Sequence, residues 1–170
     1  MVFCWLGFYG LFLLQLFRGA GFLTMVDLVF VPIHEGGHLL FSCCGRTMMI
    51  AGGTVLQLFV PLALAASFAF RRQIPGTAFC LFCFFEQFLP IATYMADARA
   101  RELPLLTVGD AEYVEHDWAV MFGGMGVLQH DTQIAAAVHT VGWTGMLATM
   151  GWLAWRGFRS KSIAKQGQIP

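Results

Sequence analysis

Residues 22–44 read FLTMVDLVFVPIHEGGHLLFSCC. The stretch is apolar enough and long enough to cross a bilayer, which takes about 20 mostly apolar residues in a helix. Yet it carries His34, Glu35 and His38 well inside it. Ionisable side chains are costly in hydrocarbon, and where a chain keeps a cluster of them they mark function by default.

The rest of the chain agrees with a bilayer as solvent. Of its 170 residues, 58% are hydrophobic and 12% charged, and the mean hydropathy is +0.67. A soluble domain needs about a quarter charged residues to solvate its surface. Four more apolar stretches come near membrane-span length, at 2–17, 48–69, 77–97 and 133–155. Residues 2–17 lack the basic start and small-residue cleavage site of a secretory signal, so they read as a retained, short membrane helix. The predicted fold is all-α: a polytopic membrane helix bundle of about five transmembrane helices, forming one domain over 1–170. An extramembrane loop at about 98–132 holds six of the ten acidic residues.

Orientation follows from basic residues, which favour the cytoplasmic side of a span. Arg71 and Arg72 lie between the third and fourth stretches; Arg156, Arg159, Lys161 and Lys165 follow the fifth. Five crossings put both clusters on one side. The expected topology has the N-terminus and the acidic loop outside and the C-terminus in the cytoplasm. Ten basic and ten acidic residues cancel, so nothing points to nucleic acid as a partner; membrane lipid is the expected surroundings.

His34 and His38 stand one helical turn apart on one face, so both imidazoles can reach a single ion at ordinary Zn–N distances. Glu35 adjoins the first of them, placed to take a proton from a metal-activated water. With five His and five Glu in the chain, HExxH arises by chance in about one such sequence in 250. Zinc is therefore the expected cofactor, with His34 and His38 as ligands and Glu35 as the catalytic base.

A hydrolytic zinc site has three protein ligands and an open position. In the expected topology the second and fourth stretches run parallel, which brings Asp97, near the outer end of the fourth, to a compatible depth. Asp97 is the first choice as third ligand, His116 or Asp117 in VEHDW the second, and His130 or Asp131 the next. The alternative for Asp97 is an interfacial pair with Arg99. Asp27, seven residues before His34, could accept a hydrogen bond from a ligand imidazole or simply sit near the inner interface. Glu86, inside FFEQFLP, needs a partner, for which Gln57 or a water is a candidate. Cys80 and Cys83 lie in FCLFCFF and read as core packing, and His139 as a helix-packing histidine.

HEGGH in an apolar span resembles the HExGH motif of site-two-protease-type intramembrane zinc metalloproteases. AGGTVLQLFVP, residues 51–61, is similar to that family's AGPxxNxxL stretch, with Thr54 where the family has proline. The resemblance implies that Gly53 and Gln57 position substrate or an oxyanion. EQFLPIATYMADAR, residues 86–99, resembles the segment bearing the family's aspartate ligand and implies that role for Asp97, although no Asp-Gly follows. The likeness covers about residues 30–97. It implies zinc-dependent hydrolysis of peptide bonds in or near the membrane, acting on a transmembrane or membrane-proximal polypeptide. The alternative from another class is a non-catalytic, zinc-stabilised membrane scaffold that binds a partner. A transporter is a weaker third, since the polar residues cluster locally instead of lining a path.

Overall fold

The computed structural model describes residues 2–17, 23–103 and 115–166, with side chains over 3–17, 28–103 and 115–159. All regular structure in these residues is helical. Seven α-helices follow one another: α1 (Val2–Phe17), α2 (Leu23–Leu40), α3 (Arg46–Phe70), α4 (Ile74–Glu86), α5 (Phe88–Ala96), α6 (Asp117–Gly124) and α7 (Asp131–Gln166). Among the described residues two helical stretches are long and apolar enough to cross a membrane, Arg46–Phe70 and Ile74–Ala96, and α1 is a shorter apolar helix. Large apolar side chains lie bare on the outside, among them Phe70 at 89%, Phe17 at 84% and Leu39 at 78% exposure.

α2 and α3 form a hairpin. A 3₁₀ turn at Ser42–Cys44 ends the first arm, and Gly45 opens the second at φ 90, a conformation that suits glycine because a Cβ would crowd the backbone. The arms meet backbone to backbone at Gly37, Gly52 and Gly53, which are all buried. A Cβ on Gly37 would overlap the Gly52 carbonyl and reach within 2.8 Å of Gly53 Cα. On Gly36 it would meet only Leu56, at 3.9 Å. Small residues allow this approach, and close packing of this kind is one way that apolar helices associate. Gly37→Ala should therefore lower the thermal unfolding midpoint in detergent, by at least the roughly 1–3 kcal/mol of an overpacked core. Gly36→Ala should leave it nearly unchanged; equal midpoints would show that the arms can part without cost.

The stretch at 74–96 is one long apolar stretch of helix broken in its middle. Pro90 has no N–H to offer the Glu86 carbonyl, and the helix interrupts at Gln87 before resuming as α5. α7 packs along α1, α4 and α5. Tyr9, Phe12, Phe82, Leu89, Met146 and Leu153 form the core there, and Gly145 of α7 lies so close to the Phe85 ring that a Cβ would overlap it. A second core, with Ile91, Met95, Ala119, Phe122 and Ala135, holds α6 against α5 and α7. The expected loop at 98–132 thus contains a short packed helix. Ion pairs fix its flanks: Arg46–Glu115 at 2.7 Å and Arg99 with the buried Asp131 at 2.8 Å.

Candidate metal centre

His34 and His38 project from one face of α2, as i, i+4 spacing requires, with ring centroids 4.8 Å apart. Both point their Nε2 atoms at one oxygen. Asp117 Oδ2, at the start of α6, lies 3.2 Å from His34 Nε2 and 3.3 Å from His38 Nε2. The far nitrogens are held as well. His38 Nδ1 lies 2.8 Å from the Met49 carbonyl and His34 Nδ1 2.9 Å from Gln57 Oε1. A carbonyl oxygen only accepts, so His38 Nδ1 carries the proton.

A neutral imidazole protonated at Nδ1 presents a bare lone pair at Nε2. Facing a carboxylate oxygen at 3.3 Å, that lone pair is repelled unless a proton or a cation stands between. One divalent cation satisfies all three donors at once. The spacing suits it, because two donors on a tetrahedral ion at about 2.0–2.1 Å are roughly 3.3 Å from each other. Burial alone would push the Asp117 carboxyl up, but with the His34 and His38 imidazoles as hydrogen-bond donors the group is held below the ordinary carboxylate range; a cation between the three would replace those protons as the partner of the carboxylate.

Glu35 stands beside this trio. Its carboxylate lies within 4.8 Å of a ring nitrogen of each histidine. Tyr94 of α5 covers another side: its hydroxyl accepts from the Asp117 backbone N–H at 3.2 Å and its ring lies 4.1 Å from that of His116. Gly53 closes the floor. A Cβ there would come within 2.5 Å of His38 Nε2 and 2.6 Å of His34 Nε2, so only a bare α-carbon leaves the space between the two nitrogens clear.

Asp97 is elsewhere. Its oxygens accept from the backbone N–H groups of Glu102 and Leu103 at 2.9 and 3.1 Å, closing the turn after α5. His116 Nδ1 accepts from Ala119 N and caps α6, which leaves Nε2 to carry the proton that faces Asp97 Oδ2 at 3.5 Å. Burial lowers the His116 pKa. The carboxylate preferred from the sequence thus props the helix whose next residue, Asp117, meets the histidines. The reason is tertiary: α6 packs against α5 and α7, which brings Asp117 to the histidines, whereas the pairing of the second and fourth stretches had pointed to Asp97. VEHDW holds the available signal, an aspartate at the start of a short apolar run.

Gln57 sits behind His34, on the side away from Asp117, and Gly53 packs against the Nε2 atoms of both histidines. The side chain of Asp27 lies outside the described residues. Asp131 is engaged by Arg99, His130 is exposed beside Gln133, and His139 is exposed near Trp143. Sequence reasoning missed Met49, whose contribution is a backbone carbonyl and so leaves no residue-type signature, and Tyr94.

Compared with protein-family models, with curated proteins and with solved structures, the chain matches none.

Proposed function

We propose that the chain is a multi-pass membrane hydrolase that holds zinc through His34, His38 and Asp117 and cleaves peptide bonds in or near the bilayer. The observation that carries this reading is the convergence of three donor atoms from two helices at the spacing of a tetrahedral ion, with both far nitrogens fixed by acceptors. Zinc so bound would polarise a carbonyl and bring the pKa of water to about 7. Glu35 then takes the proton of the attacking water and returns it to the leaving amine. Tyr94, beside Asp117, can donate to charge developing on the scissile oxygen.

Membrane residence is supported by the two span-length helices and the bare apolar side chains. The five-span topology, with an outside N-terminus and a cytoplasmic C-terminus, belongs to the same proposal. The contact of Asp117 with His34 and His38 supports one part of it, since the loop and the outer half of α2 must then share a side.

Elemental analysis tests the proposal at its base. Purified wild-type protein should hold about one zinc, and the His34→Ala, His38→Ala double variant none. Equal zinc in the two would remove the metal and, with it, the hydrolytic reading.

A further inference from the structure

The polar chain behind His34 continues past Gln57 into the interior of the bundle. Gln57 Nε2 donates to Gln87 Oε1 at 2.7 Å, and Gln87 Nε2 donates to Glu86 Oε2 at 2.6 Å. Gln57 is 8% exposed, and Gln87 and Glu86 are both at 0%. Three adjoining polar side chains in the middle of an apolar bundle are costly unless mutually satisfied, and such networks specify one arrangement when they are. The break in the span at Gln87 is what turns two consecutive polar residues inward together.

An amide has one donating and one accepting end, so the chain has a direction. With Glu86 accepting from Gln87, Gln87 must offer its oxygen to Gln57, and Gln57 must offer its own oxygen to His34. His34 then places its proton on Nδ1 and leaves Nε2 bare toward Asp117. Resting on the metal reading above, we propose that Glu86 and Gln87 are positioning residues that act through Gln57 to fix the tautomer and ring orientation of His34 at the metal. His38 gets the same service from a backbone carbonyl, which cannot rotate. His34 depends on side chains that can, and the relay removes that freedom.

Cobalt(II) added to metal-free protein in detergent gives the test, through its visible absorption and its affinity. Gln87→Met keeps the length of the side chain and ends the relay. It should still bind cobalt, about 10–100-fold more weakly, the usual effect of losing a partner behind a ligand histidine, and with an altered spectrum. Glu86→Leu should do the same, and Glu86→Gln, which can still accept from Gln87, should restore wild-type behaviour. In a Gln57→Met background, Gln87→Met should add nothing further, because residues acting in series are not additive. A general loss of packing would instead add in both backgrounds and would not be rescued by Glu86→Gln; either result overturns the inference. So does wild-type affinity and spectrum in Gln87→Met. If wild-type protein itself binds no cobalt, the metal reading fails, which is a separate outcome from a relay that does not matter.

Discussion

Asp117→Asn should strip the site of its metal, while Asp97→Ala should leave metal in place. Asn keeps the size of the side chain and the start of α6, but removes the anionic donor that both imidazoles face. Two nitrogens alone make a weak site, so the loss should exceed the roughly 10–100-fold that removing an outer partner costs. Asp97 closes a turn and faces His116. Its removal should therefore show first as a lower unfolding temperature, with affinity reduced by no more than an outer partner's share. Chelator competition on the two purified variants separates them. Stoichiometric zinc in Asp117→Asn together with none in Asp97→Ala would return the third ligand to the fourth stretch.

Glu35→Gln should keep zinc and fold and lose turnover. The substitution preserves shape and hydrogen bonding but cannot accept the proton, and loss of a general base typically costs about 10²–10⁴ in rate. Glu35 is suited to this because it adjoins His34 in the chain and its carboxylate lies within 4.8 Å of a ring nitrogen of each histidine. Membrane fractions from cells expressing wild type or Glu35→Gln at matched levels would be compared for processed proteins, and candidates then cleaved with purified enzyme. No difference in processing, with the variant fully functional in cells, would favour the zinc-stabilised scaffold, which has no need of a base.

The half of the site near HEGGH is legible in the sequence because it is local. Helical periodicity alone puts His34 and His38 on one face, and the glycines of the next helix stand where the hairpin must close. The segments at 2–17, 48–69 and 77–97 are likewise readable as helices from their apolar runs, and the structure forms α1, α3 and the α4–α5 pair over them. What could not be read depends on fold-back. Choosing between Asp97 and Asp117 requires knowing that α6 packs on α5 and α7. Glu86 did announce its need for a partner, and Gln57 was among the candidates; the structure joins them through Gln87, which only the interruption ahead of Pro90 brings inward.

The hairpin also sets an order of events. Both histidines, Met49 and Gln57 belong to α2 and α3, so the nitrogen half of the centre can form as soon as that hairpin has been made. Asp117 follows His34 by 83 residues, which at about 5–20 residues per second of synthesis is a delay of roughly 4–17 s. During that interval the nascent chain offers two imidazoles and no carboxylate from α6, a pair too weak to retain a scarce ion. On the proposed metal reading, durable loading would therefore wait until α6 has been made and docked, and a metal-filled molecule would be one whose chain had been built at least that far.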